Sequence, residues 1–234
     1  MPQVNLAQAA SGFASEIQEL LDAVLPGERQ IRAVQSVQFS DRYVVRPEGP
    51  DLDAAAIPLF VAGEPLARLR LSFQCCADHQ GAYLAVERSE FILVAQADRE
   101  PLVRLEFRRD AYRAPAAHWQ VHAERGAFSA LLARAKVKAP HDLASLHLPV
   151  GGPRMRPGLE DFLEFLVREC SFDHCGGWQQ AVEASRQNWR RRQVATLVRD
   201  APEEAIRVLT ENGYRVEPSP SASLPGRPES LRAW

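Results

Sequence analysis

The sequence predicts an α+β protein: an antiparallel sheet of about six strands covered by helices on one face, with a helical C-terminal subdomain. Three observations predict it. Between residues 57 and 124, runs of apolar/polar alternation recur, separated by turn residues, which marks a meander of half-buried strands. Helix-period apolar stripes flank those runs at residues 5–25 and 159–170. Beyond residue 178 the pattern is helical and rich in arginine. The expected division is an α+β domain over 1–170, a helical subdomain over 171–217, and a Pro/Ser-rich disordered tail over 218–234.

The first helix has Asn5 as its cap, with Leu6, Phe13, Ile17, Leu20, Leu21 and Val24 on one face and Pro26-Gly27 as its stop. Residues 30–45 are extended but mixed, and RPEGPDLDAAAIP is a loop. Strands are expected at 57–61, at 66–75 after a turn through AGEP, at 83–88, 91–97 and 102–108, and at 117–124. In the strand at 102–108, Val103, Leu105 and Phe107 face the core, and Arg104, Glu106 and Arg108 face away. In the next, Trp119 and Val121 oppose His118, Gln120 and His122. A helix at 126–137, a short strand at 145–149 and a helix at 159–170 follow. Then come helices at 178–199 and 202–212, capped by Gly213, and a final short strand at Tyr214–Val216.

At 46% hydrophobic and 25% charged, the 234 residues suffice for a real core. A net charge of −2 argues against a nucleic-acid-coating surface, so any acidic partner must meet a local patch. No apolar run reaches the ~20 residues of a membrane span, and the N-terminus lacks the pattern of a secretory signal. Four cysteines, two of them adjacent, do not resemble a disulfide framework. The expectation is a reduced, cytoplasmic protein with no membrane partner.

The strand phases collect Arg68, Arg70, Arg104, Glu106, Arg108, His118, Gln120 and His122 on the face away from the core. Guanidinium forks bind phosphate oxygens, and imidazole moves protons near neutral pH. A ribonuclease that uses no metal needs those two ingredients: an acid/base pair and a cation for the charged phosphate. The competing reading is a solvated face of Arg–Glu cross-strand pairs. His118 and His122 lie about 13 Å apart on a strand at ~3.3 Å per residue, so a working pair needs His147 beside one of them. The loop GGPRMRP, with Arg154 and Arg156 ahead of a helix, offers a second anion pocket or else a plain connection. Glu160 and Asp161 in that helix's first turn are read as dipole-stabilising.

Cys170, His174 and Cys175, with Cys75-Cys76 as remote ligands, do not have zinc spacing. The chain contains no phosphate-loop, dinucleotide, G-x-S-x-G or H-E-x-x-H motif, so neither a metal nor a cofactor is expected. The basic run Trp189–Arg192 suits nucleic acid, an acidic partner or internal pairing.

The segment HWQVHAERGAF, followed by LHLPVGGPRMRPGLEDFLEFLV, resembles uncharacterised actinobacterial proteins and, more loosely, TumE-type toxins of toxin–antitoxin pairs. The likeness spans roughly residues 66–170. It implies a small antiparallel sheet, a site near His118, His122 and His147, and an antitoxin encoded alongside. This chain is longer, with an added N-terminal helix and a helical C-terminal third.

The reading is therefore a toxin-type protein acting on RNA. His118 or His122 would work with His147 on protons, and Arg104, Arg108, Arg154 and Arg156 would hold phosphate. Its alternative is a non-catalytic module that docks an operon-encoded protein through the basic C-terminal helix.

Overall fold

The computed structural model describes residues 3–98, 100–110, 116–122, 126–138, 140–141, 156–217 and 226. Its order is α1 (Leu6–Val24), β1 (Ile31–Gln35), β2 (Tyr43–Pro47), β3 (Ile57–Val61), β4 (Glu64–Ala77), β5 (Leu84–Ala95), β6 (Pro101–Arg108), β7 (Ala117–Val121), α2 (Gly126–Arg134), α3 (Leu159–Arg168), α4 (Trp178–Asp200) and α5 (Pro202–Glu211). The class is α+β, and the sheet is open, seven-stranded and antiparallel throughout. The chain forms two compact units, Met1–Ser185 and Arg186–Trp234. The first reaches past residue 170, because Phe172, Trp178 and Val182 are buried in its core.

β4 organises the sheet. One edge pairs with β5 over its length; the other pairs with β3 from Glu64 to Leu69 and with β2 from Phe73 to Cys75. The hairpin from β3 turns on Ala62 and Gly63 alone, at φ of 52° and 81°. Two successive positive φ values give the turn that matches strand twist, and Ala62 adopts one at a steric cost. Asp173 holds the turn: its carboxylate accepts from the N–H groups of Ala62 (2.9 Å) and Gly63 (2.8 Å). Its own N–H donates to the Phe60 carbonyl at 2.7 Å. The expected AGEP turn is thus two residues shorter, with Glu64 and Pro65 already in β4.

The strands expected at 83–88 and 91–97 are one strand, β5. Nothing in Glu87-Arg88-Ser89-Glu90 breaks a strand, and the irregularity is a shift of register between Gln74 and Cys75 on β4. Residues 30–47 form a hairpin, β1–β2. Residues 214–217 are not a strand, and the strand expected at 145–149 lies outside the described residues.

The apolar face carries Leu69, Leu71 and Phe73 of β4, Phe91 and Leu93 of β5, and Val103 and Leu105 of β6. α1 and α3 contribute their stripes to the same core. A chain of rings crosses it: Phe13–Phe73 at 5.0 Å, Phe73–Phe91 at 5.2 Å, Phe91–Phe162 at 6.0 Å and Phe162–Trp119 at 5.5 Å. Each such pair adds roughly 0.5–1.5 kcal/mol beyond its buried area. Asn5 caps α1 by accepting from Gln8 N–H, and the Arg29 guanidinium closes its other end on the carbonyls of Leu21, Leu25 and Pro26. No helix among the described residues is long and apolar enough to cross a membrane.

Phe91→Ala, which removes the ring between Phe73 and Phe162, is expected to cost about 3–5 kcal/mol in urea unfolding. Val37→Ala, on a fully exposed side chain, should stay within about 0.5 kcal/mol of wild type. A second test uses pH. Burial raises the Asp78 carboxyl, but N–H donation from Tyr83 and Ala82 outweighs it and leaves the group below its ordinary 3.8. Its contribution is therefore complete above that value and lost as the pH falls through the lower folded one. Asp78→Ala should cost about 1–3 kcal/mol at neutral pH, and unfolding midpoints of variant and wild type should converge in acid.

Candidate acid–base site on the polar sheet face

Antiparallel register fixes which side chains meet on the face away from the core. Across four strands one row reads Ser72, Glu90, Glu106, His118. The row on one side reads Arg70, Ile92, Arg104, Gln120; on the other it reads Gln74, Arg88, Arg108. Two carboxylates therefore stand directly opposite each other on β5 and β6, with an imidazole next in line and arginines on both flanks. Like charges directly opposite are destabilising, and the flanking cations offset this. Arg104 Nη1 lies 3.4 Å from Glu106 Oε1, Arg88 pairs with Glu90, and His118 Nε2 lies 3.8 Å from Glu106 Oε2. The last is ion-pair range and beyond a hydrogen bond. The side chains of Glu90, Glu106 and His118 are 18%, 20% and 15% exposed. They are shielded enough to strengthen their mutual field and still reachable from solvent.

Two further arginines of this face are also matched. Arg70 Nη2 meets Asp53 Oδ1 at 2.5 Å, and Arg108 Nε meets Asp110 Oδ1 at 3.0 Å. The Arg108 hydrogen bond holds the Asp110 carboxyl below its ordinary range. The face is thus a lattice of compensated charges rather than a bare cationic patch.

The sequence-predicted residues among those described each have a definite place. His118 and Arg104 share the site. Arg108 sits one row away, with its side chain more than half exposed and bound to Asp110. His122 lies just past β7, its N–H donating to the Leu102 carbonyl at 2.9 Å, four residues from His118 along the strand direction. It is not brought beside His118. Arg156 is not part of this face. Its guanidinium stacks 3.9 Å over the ring of Phe107, whose strand alternation puts it on the helix-covered side. Burial, with a further push from Arg109, lowers its pKa to about 10. Arg156 thus lies across the sheet from Arg104 and Arg108. His147 and Arg154 lie outside the described residues.

Glu90 and Arg88 are the residues that the sequence reading missed. Splitting β5 into two strands put Glu90 in a presumed break. The signal was present: Arg88, Glu90 and Ile92 alternate without interruption against Ser89, Phe91 and Leu93.

The cysteine–histidine segment is not gathered into a site. Cys75 and Cys170 are fully buried, Asp173 is committed to the β3–β4 turn, and the Cys175 N–H donates to the Val24 carbonyl. Among the described residues, no group of three His, Cys, Asp or Glu is placed to hold a metal. Asp161 accepts from Gly158 N–H at 2.8 Å, which caps α3, and Glu160 accepts from the Ser185 hydroxyl at 2.6 Å. Both carboxylates have structural partners.

Compared with protein-family models, curated proteins and solved structures, the chain matches none.

Burial raises the Cys75 thiol to about 12, with Cys76 adding to it, and raises Cys170 as well. In the native protein at mildly alkaline pH, both should resist iodoacetamide while the half-buried Cys175 is labelled. Unfolding in urea should expose all four to alkylation, read by peptide mass spectrometry.

Proposed function

We propose that the polar face of the sheet binds RNA and acts on its phosphodiester backbone by internal transesterification. The observation that carries this reading is the row Glu90–Glu106–His118 with Arg88 and Arg104 on its flanks. The reaction needs a base for the 2′-hydroxyl proton, an acid for the departing 5′ oxygen, and cations for the charge on phosphorus. Glu90 and His118 stand two strands apart, about 10 Å at roughly 4.8 Å per strand, which leaves room for a phosphate between their side chains. Glu106 lies on the strand between them, its carboxylate 3.8 Å from His118 Nε2 and facing the imidazole as an ion-pair partner.

In this scheme Glu90 takes the 2′-hydroxyl proton as the O2′–P bond forms. The protonated His118 gives its proton to O5′ as the P–O5′ bond breaks. The products are a 2′,3′-cyclic phosphate and a 5′-hydroxyl. Arg88 and Arg104 turn from carboxylate to phosphate oxygens as the RNA docks, an exchange of one anion for another at partly exposed guanidinium groups. The reading agrees with what the resemblance to TumE-type toxins implies, and it makes a co-encoded antitoxin the expected protein partner in a bacterial cytoplasm.

The test is to incubate the purified full chain with single-stranded RNA and resolve the products on a denaturing gel, with Glu90→Gln and His118→Ala alongside. Wild type should yield cyclic-phosphate ends, and each variant should lose at least about 100-fold in rate with an unchanged unfolding midpoint. Intact RNA with wild type, or full activity in both variants, would overturn the proposal in favour of the docking-module alternative.

A further inference from the structure

The row that carries the candidate site does not end at Ser72. Val45 of β2 pairs with Phe73, so the next residue, Arg46, falls level with Ser72, and Arg46 faces Arg32 on β1. Val45 is fully buried in the core, so alternation puts Arg46 and Arg32 on the polar face. The row thus reads Arg32, Arg46, Ser72, Glu90, Glu106, His118, with cations at one end and the acid–base groups at the other.

Two arginines directly opposite each other are unfavourable, and only one of them is neutralised. Arg32 meets Glu48 at 3.0 Å. Arg46 donates to the Pro47 carbonyl at 3.1 Å and meets no carboxylate among the described residues. Of the other arginines that the strands place on this face, Arg70, Arg88, Arg104 and Arg108 each meet one. Arg68 does not, but it lies two rows away between Pro58 and Val94, with its Nε buried and its Nη2 on the Asp98 carbonyl. Arg46 is therefore the cation of this row with charge left over for a ligand. Only Ser72, a short and buried side chain, stands between it and Glu90, about 10 Å away at roughly 4.8 Å per strand.

The acid–base roles give the row a direction. In internal transesterification the attacking 2′-hydroxyl belongs to the nucleotide 5′ of the scissile phosphate, and the departing O5′ to the nucleotide 3′ of it. With Glu90 at the first and His118 at the second, the chain runs 5′ to 3′ from β2 toward β7. We propose that single-stranded RNA crosses the strands along this row, and that Arg46 holds a phosphate upstream of the scissile one. Its direction rests on the acid–base reading of Glu90 and His118. A guanidinium fork suits a phosphate, and a backbone contact of that kind carries no base preference.

The test uses the full chain and a 2′-O-methyl oligonucleotide, which lacks the nucleophile and is not cleaved by this route. Its length is about eight nucleotides, within the ~4–16 that a small single-strand-binding domain covers. Affinity is read by fluorescence anisotropy against salt. Arg46→Gln should lower the slope of log Kd on log salt by about 0.7, one phosphate contact of a single strand. Arg68→Gln removes the same charge from the same face and should leave the slope unchanged. A photoreactive 4-thiouridine at the 5′ end should crosslink to peptides of β1 and β2, and one at the 3′ end to peptides of β7. An unchanged slope for Arg46→Gln, an equal fall for both variants, or the two ends crosslinking in the opposite sense would overturn the proposal, whether or not ordinary RNA is cleaved. The reduced slope and the stated polarity, in a chain that leaves ordinary RNA intact, would uphold this track and overturn the reaction alone.

Discussion

The antiparallel register of β4, β5 and β6 is the constraint on which the rest depends. Side chains alternate with period two, so a slip of one residue would carry Leu71, Phe91 and Leu105 to solvent and Glu90, Glu106 and Arg104 into the core. Both ends of β4 are pinned. Asp173 fixes the Ala62–Gly63 turn at one end, and Asp78 gathers the N–H groups of Ala82 and Tyr83 at the other. Between them the Phe13–Phe73–Phe91–Phe162 chain of rings sets the depth at which helices and sheet meet. The polar face inherits its order from this apolar one.

That inheritance explains why a carboxylate pair survives on the sheet. Glu90 facing Glu106 is unfavourable by itself, roughly 0.2–1 kcal/mol against a neutral pair. It stands because Arg88, Arg104 and His118 surround it and because the register admits no rearrangement. A face selected for stability alone would alternate the signs across the strands. Here the signs alternate along each strand instead, Arg88 with Glu90 and Arg104 with Glu106, so the anions accumulate in one row and the cations in its neighbours. This segregation gives a strip of two carboxylates and an imidazole with cations in reach. A fully interleaved face lacks such a strip.

Much of this was legible in the sequence, and the failures have physical causes. α1, β3, β6, α3 and the α4–α5 break follow from period, caps and proline, which are local. The facing of Arg104, Glu106 and His118 follows from alternation within single strands. The partner of Glu106 across the sheet does not, because pairing depends on hairpin lengths, and the continuity of β5 was hidden by a polar run with no breaking residue. The side of the sheet on which Arg156 lies was hidden for a related reason. A loop's sequence shows its charge but not which side of the sheet it returns on. The match between arginines and carboxylates, Arg70 with Asp53 above all, was likewise invisible, since Asp53 comes from a loop seventeen positions away in the chain.

The two compact units solve opposite problems. In the first, the apolar groups of the sheet, α1 and α3 cover one another in one core. In the second, helices are supported by local devices: Pro202 in the first turn of α5, and Arg207 pairing with both Glu204 and Glu211. Such fully exposed pairs contribute little. An isolated helix of ten residues, the length of α5, is marginal in water, because nucleation is costly and most helical stability in proteins comes from packing of an amphipathic face. α5 has the amphipathic face, and none of its residues is buried.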